Sequence, residues 1–340
     1  MGMTTRYTTN PKMETNSPDH RSRQAPFISC VVPAFNEAAN IDQLLATLDQ
    51  QLRQTGSSYE VIIVDDGSRD GTADAAIRCS ENYPVRLIQF SRNFGKEIAL
   101  SAGIDHADGD VVVLLDADLQ HPATVIPEML QRWRDGYDMV YAVRTDRTGD
   151  SRFRQLGTRL FYRLLARMCR IDIPENAGDF RLMDRKVVLA LRALPERSRF
   201  MKGLYAWVGF NSIGIPYAFD TRAAGESQFG LRKLAALALT GITSFSELPL
   251  RVWALIGAIV SILSLLYAAW IVAMTLIFGI DVPGYATISA GLMFFGGVQL
   301  FSVGILGEYI GRIFNEVKQR PLYLVTRKHG FRSESTNQGT

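Results

Sequence analysis

The chain has 340 residues, 47% of them hydrophobic, a formal net charge of +3 and three cysteines. That length holds one large domain or two smaller ones, the apolar content excludes a disordered protein, and so small a net charge argues against a nucleic-acid partner. Cys30, Cys79 and Cys169 are odd in number, far apart and without metal-like spacing, which argues against a zinc site and reads as reduced thiols in a cytosolic compartment.

Residues 1–26 are polar, rich in Thr, Ser, Asn and Pro, and lack the apolar stretch of a signal peptide, so they read as a disordered tail. From residue 27 the pattern changes. "ISCVVPAF", "YEVIIVDD", "VRLIQFSR", "DVVVLLDAD" and "DMVYAVRT" are short β-branched runs, separated by amphipathic stretches such as "EAANIDQLLATLDQQLRQ". Apolar strands alternating with helices predict an α/β domain over 27–225, a mostly parallel sheet covered on both faces.

In such sheets ligands bind in the crevice outside the carboxyl ends of the strands. Asn36 and Glu37 follow the first strand, Asp65 and Asp66 the second, Arg92, Asn93 and Lys96 the third, Asp116, Asp118 and Gln120 the fourth, and Arg144 the fifth. A single acidic strand end is often a turn or a helix cap; five polar ends together point to a site. Asp116 and Asp118 can approach one ligand if the chain turns after Leu115. Paired carboxylates with oxygen-rich neighbours suit a hard divalent cation, Mg²⁺ or Mn²⁺, that shares substrate phosphates and neutralises a diphosphate leaving group. The chain has no GxxxxGK[ST] and no GxGxxG after the first strand, which argues against a P-loop NTPase or a dinucleotide oxidoreductase.

"SRFRQLGTRLFYRLLARMCR" sets six arginines among Phe153, Leu156, Leu160, Phe161, Leu164 and Leu165, the pattern of an interfacial helix or of a surface helix packed on the sheet. Residues 226–250 form an amphipathic juxtamembrane segment. Val252–Ile280 and Val282–Gly307 are uncharged runs of 29 and 26 residues, each longer than the roughly 20 needed to cross a bilayer as helix. They predict a transmembrane hairpin over 251–311 and a cytoplasmic tail over 312–340. Arg251 precedes the first run, and Arg312, Lys318, Arg320, Arg327 and Lys328 follow the second, whereas the connecting turn has no Lys or Arg. By the positive-inside rule both termini and the large domain are cytoplasmic.

Smaller signals carry smaller expectations. His106 and His121 read as solvated or capping, "QRW" at Gln131–Trp133 as a superficial likeness to processive synthases, and Glu308 as a group turned toward protein or the interface.

The motifs "VVPAFNE", "VDDGS", "SRNFGKE", "LDADLQHP", "GDFRLMDR", "RFMKGLYAWVG", "ITSFSELPLR" and "LGEYIGRIFNEVKQRP" together resemble the polyprenyl-phosphate glycosyltransferases of glycosyltransferase family 2. The likeness covers about residues 27–325 and runs nearest to the bactoprenol glucosyltransferases of O-antigen glucosylation. The resemblance implies an A-type glycosyltransferase fold at the bacterial inner membrane, a UDP-sugar donor, UDP-glucose first, and an undecaprenyl phosphate acceptor. Transferases for aminoarabinose and mannose share the core motifs. By the same likeness Pro33, Phe35, Glu37 and Asp66 hold the uridine part, Lys96 binds the nucleotide-sugar, Asp116 lies on the donor's sugar and ribose side and is a catalytic candidate beside Asp179, and Asp118 with Gln120 holds the metal. A homo-oligomer and a separate flippase are also implied.

Chemistry supports the same reaction. A lipid phosphate is already an anion, so it can attack an anomeric carbon without a strong base, and positioning and charge stabilisation dominate. Asp179 is the candidate base; the alternative is that it orients Arg181 or caps the helix beginning near Asp184. Arg144 and Arg222 are the candidate acceptor-phosphate ligands, with Arg159 and Ser227 as further ones. The family commonly has Ser-Lys or Thr-Lys where this chain has Ser227-Gln228. A metal-dependent nucleotide-sugar hydrolase and a non-enzymatic membrane adaptor are the competing readings.

Overall fold

The computed structural model describes residues 25–144, 177–197, 199–217, 248–278 and 284–331. All five anticipated strands form: β1 (Ile28–Ala34), β2 (Tyr59–Asp65), β3 (Val85–Phe90), β4 (Val111–Leu114) and β5 (Met139–Arg144). Helices α1 (Ile41–Gln54), α2 (Thr72–Cys79), α3 (Lys96–His106) and α4 (Ile126–Arg134) connect them. Three more strands complete the sheet, β6 (Ala177–Asp184), β7 (Ser212–Tyr217) and β8 (Val325–His329), in the order β7-β5-β6-β4-β1-β2-β3-β8.

The sheet is mixed around a parallel core. β1 pairs in parallel with β2 and β4, β2 with β3, and β5 with β7, whereas β6 runs antiparallel between β4 and β5. Successive side chains of a strand point to opposite faces. Cys30 and Val32 accordingly join the core under α1, α2 and α4, and Val31 joins the core under α3, α5 (Arg185–Arg192) and α6 (Met201–Trp207). A Cβ on Gly103 would lie 2.1 Å from Val31 Cγ1, so glycine is what lets α3 sit directly on β1.

"QRW" is structural. Trp133 is fully buried and its indole N–H donates to Asp184 Oδ2 at 2.8 Å. Asp184 also accepts the Lys186 N–H at 2.9 Å, so Asp184 itself caps α5 and Asp179 is left free for other work.

The segment expected as a tail, 312–340, departs from that expectation. It holds the end of α8 (Tyr285–Val317) and then β8, which pairs antiparallel with β3. Tyr323 stacks on Phe90 with ring centroids 4.9 Å apart, and the Ser91 N–H donates to the Leu324 carbonyl at 2.9 Å. The strand escapes a pattern search because "VTRKH" is a short, mostly exposed edge strand, which needs no apolar run.

Helices α7 (Leu248–Phe278) and α8 have 31 and 33 residues and form the hairpin. Among the described residues one stretch, Phe294–Val317, is long and apolar enough to cross a membrane by length and composition, and none of it is buried within the chain. Two spans were expected from the uncharged runs. Leu276 and Leu300 are 81% and 75% exposed, as apolar side chains facing lipid would be. Glu308 pairs with Arg312 one turn on at 3.0 Å, and Glu316 accepts the Arg197 N–H at 2.9 Å, which ties α8 to the sheet domain. The N-terminal tail to residue 24, the arginine-rich segment 151–170 and residues 218–247 of the juxtamembrane region lie outside the described residues.

Candidate active site

The strand ends leave the sheet through tight turns. Asn36 and Leu119 hold positive φ of 58° and 59°, and Gly67 has φ 73° where an added Cβ would meet the Arg92 carbonyl carbon at 2.4 Å. These turns aim the residues after β1, β2 and β4 at one cavity of about 330 Å³. Pro33, Phe35, Glu37, Asp66, Lys96 and Asp116, the residues expected at the donor, all line it together with Asp118 of the expected metal pair, whereas Gln120 is not among the lining residues.

Asp66 is 3% exposed and accepts the backbone N–H groups of Phe94 and Gly95 at 2.6 and 2.9 Å. It locks the β3–α3 loop against the end of β2. Burial lifts its pKa above the usual carboxylate value despite these two donors. Glu37 accepts from Asn40 Nδ2 at 2.6 Å, and its N–H donates to Thr72 Oγ1 at 2.9 Å. Burial, with repulsion from Asp118, Asp70 and Asp116, raises its pKa against the Asn40 hydrogen bond. Phe35 stays 46% exposed, an aromatic face open to a planar ring.

Lys96, the first residue of α3, stands at the electrostatic centre. Its ammonium lies 2.7 Å from Asp116 Oδ1 and 2.9 Å from Asp179 Oδ2, bridging the ends of β4 and β6. Burial works against its charge, but the two carboxylates more than offset this and hold its pKa above the ordinary lysine value. Burial works against the charge on Asp179 as well; Lys96, Lys202 and Arg181 overcome it, so this carboxyl titrates below its usual range. Asp179 Oδ1 is buried without a hydrogen-bond partner, so one oxygen of a charged group is unsatisfied. The neighbouring Glu97 is pushed up to about 7 by burial and by repulsion from Asp179, although it accepts the Met201 N–H at 2.9 Å.

His121 belongs to the site rather than to solvent. Its side chain is 12% exposed, packs on Phe180 at 5.2 Å, and places Nδ1 3.7 Å from Asp116 Oδ2. Burial lowers its pKa, so the ring is neutral at pH 7. Asp116, Asp118 and His121 bring one ligand atom each within 4.8 Å of one another. Two carboxylate oxygens and a neutral imidazole nitrogen fit a divalent cation of the Mg²⁺ or Mn²⁺ class. The Gln120 backbone N–H donates to Asp118 Oδ1 at 3.0 Å, orienting that carboxylate. Its place straight after the DAD element was the only signal in the chain that His121 could enter this group.

The acceptor residues stand differently. Arg144 ends β5, but its side chain is outside the described set, and Arg159, Arg222 and Ser227 lie outside the described residues altogether. Arg181, which Asp179 had been offered as orienting, donates to the Gly178 carbonyl at 2.7 Å and covers the Tyr205 ring at 3.6 Å.

A cleft at the carboxyl ends of a parallel core, framed by carboxylates and one bridging lysine, together with an apolar helical hairpin, is the arrangement of a membrane-associated glycosyltransferase of the A-type fold. Residues 29–192 match the glycosyl transferase family 2 domain and residues 248–313 the GtrB C-terminal hairpin. The chain is 49% identical over 300 residues to an uncharacterized glycosyltransferase of Synechocystis sp., covering 88% of this chain and 94% of that one. It is 46% identical over 303 residues to the SfII prophage-derived bactoprenol glucosyl transferase of Shigella flexneri, covering 89% and 98%. The chain therefore belongs to glycosyltransferase family 2, in the branch that carries the GtrB hairpin. Among solved structures, glucosyl-3-phosphoglycerate synthase of Mycobacterium tuberculosis overlays 64% of this chain and 78% of its own with TM-score 0.45 and 20% identity.

Proposed function

We propose that the protein transfers glucose from UDP-glucose to undecaprenyl phosphate by a single inverting displacement at the cytoplasmic face of the membrane. The observation that carries this reading is the convergence of Pro33, Phe35, Glu37, Asp66, Lys96, Asp116 and Asp118 in one cavity. The identity to a bactoprenol glucosyl transferase over nearly its full length supports the sugar and the acceptor.

In this reading Phe35 and Pro33 form the wall for the base, and Asp66 and Glu37 accept from the nucleoside. Asp116 faces the donor sugar and ribose. Asp118, with Gln120 and His121, would hold a divalent cation, which supplies charge for the departing diphosphate. Asp179 is a carboxylate held low by Lys96, so it accepts a proton poorly. Its main work is to fix the ammonium between the two strand ends, which suits an attacker that is already anionic. Arg144, Arg159, Arg222 and Ser227 would meet the acceptor phosphate. The hairpin anchors both termini on the cytoplasmic side, a homo-oligomer is the assembled form, and a separate flippase would carry the sugar-lipid outward.

Asp118→Ala tests the metal assignment in purified full-length protein. Removing a carboxylate that stabilises leaving-group charge should cost about 100-fold or more in transfer. Full transfer by the variant would refute the assignment.

A further inference from the structure

The chain returns from the helical hairpin to the sheet at the loop that leads into Lys96. Helix α8 ends at Val317, and β8 begins at Val325 against β3. At the carboxyl end of β3 the Ser91 N–H donates to the Leu324 carbonyl at 2.9 Å, and Thr326 Oγ1 donates to the Gln89 carbonyl at 3.2 Å. The pairing shifts register between Gln89 and Phe90, which makes Thr326 the extra residue of a bulge. Thr326 lines a second cavity, of about 580 Å³, which shares Phe35 and Asn93 with the donor cavity.

Tyr323, just before β8, makes the closest approach to that loop from behind. Its ring stacks on Phe90 at 4.9 Å with the planes 21° apart, and Phe90 meets Phe94 edge-on at 5.6 Å. Asn93, Gly95 and Lys96 line the donor cavity, while Phe94 among them packs on the core under α3. The Phe94 N–H is one of the two that Asp66 accepts, at 2.6 Å. The Tyr323 O–H also donates to Asp105 Oδ2 at 3.5 Å, on the helix that Lys96 opens. One ring from beyond the hairpin therefore backs the strand, the loop and the helix that present the donor groups. A loop is held by what packs behind it, and a displacement of about 1 Å at a binding group can cost about 100-fold in rate.

We propose that Tyr323 is a positioning residue for the donor site: through Phe90 and Phe94 it holds the loop over residues 91–96 so that Asp66 and Lys96 face the nucleotide-sugar. The assignment rests on the transfer reaction proposed above and deepens its donor side. It makes donor binding depend on the segment that leaves the hairpin, so that anchor and cleft act as one unit.

The test is UDP binding by calorimetry, with initial-rate kinetics in which UDP-glucose and undecaprenyl phosphate are varied separately, for Tyr323→Leu, Tyr323→Phe and His329→Ala in full-length protein in detergent. Losing an aromatic contact of this kind should weaken UDP binding and raise the UDP-glucose KM about fivefold in Tyr323→Leu, with the lipid KM within about twofold. Tyr323→Phe keeps the ring and gives up only the hydrogen bond to Asp105, so its donor values should return to within about twofold of wild type. His329 secures β8 at its far end, with Nε2 3.0 Å from Ser80 Oγ. His329→Ala should lower the melting temperature and leave the donor KM within about twofold, which separates positioning from general loosening of the strand. An unchanged donor KM in Tyr323→Leu, equal rises in both KM values, or an equal donor effect in His329→Ala overturns the assignment. Should Tyr323→Leu not fold, Tyr323→Met makes the same comparison. A wild type that binds UDP without lipid-dependent transfer would overturn the proposed reaction instead, and the UDP affinities of the variants would still decide for or against Tyr323.

Discussion

Replacing Lys96 by Met removes the ammonium that holds two strand ends together and leaves Asp116 and Asp179 facing each other unneutralised. The lysine contacts them at 2.7 and 2.9 Å, with side chains 45%, 21% and 15% exposed in the order Lys96, Asp116, Asp179. An exposed pair contributes about 0.2–1 kcal/mol, whereas breaking a buried one costs about 3–5 kcal/mol. A half-exposed lysine falls between, so each contact contributes about 1–1.5 kcal/mol and the two together about 2–3 kcal/mol. That is the stability the contacts contribute; in the proposed reaction the same ammonium also faces the departing diphosphate, and withdrawing such a charge should cost about 100-fold in kcat/KM for the sugar donor. The assay is initial-rate transfer with both substrates, for Lys96→Met, Asp179→Asn and the double variant. Because the two residues act through one contact, the losses should be less than additive, and the acid limb of the Lys96→Met pH profile should move up as the buried Asp179 loses the cation that does most to lower its pKa. Full additivity, or a Lys96→Met variant within about threefold of wild type, would refute the reasoning.

Glu97 gives a prediction of opposite sign in pH. Its folded value of about 7 lies above the ordinary 4.5, so its stabilising contribution is complete below about pH 4.5 and is lost as pH rises through 7. Glu97→Gln keeps an acceptor for the Met201 N–H and should remove up to about 3 kcal/mol of that pH dependence in melts between pH 5 and 8; an unchanged slope would contradict it. Trp133→Phe deletes the donor to Asp184 and should cost about 1–3 kcal/mol in denaturant titrations, since it removes a hydrogen bond from a buried carboxylate. Tyr323→Ala removes the ring stacked on Phe90 and should lower the melting temperature and raise protease cutting after Val317; unchanged proteolysis would mean that β8 is not a stabilising strand.

The parallel core and the convergence of polar strand ends on one cavity were legible because each depends on local signals. β1 to β4 are apolar runs ending in polar turns, and the rule that ligands gather at carboxyl ends turns strand order into a site. What stayed hidden depends on distant pairing. β6 carries Arg181 and Asp179 within a buried strand, a pattern unlike an apolar run, and only its place between β4 and β5 brings Asp179 to Lys96. β8 is an edge strand whose charged residues face water. His121 read as a solvated ring because its environment is made by Phe180 and Tyr217, about 60 and 100 residues away in sequence.

The most direct measurement of the central claim is transfer of radiolabel from a panel of UDP-sugars to undecaprenyl phosphate, with Mg²⁺ or Mn²⁺, each donor run with and without the lipid. The account predicts labelled lipid from UDP-glucose and no comparable UDP release in its absence. Release of UDP without lipid, or no lipid labelling from any donor by well-folded protein, would contradict it.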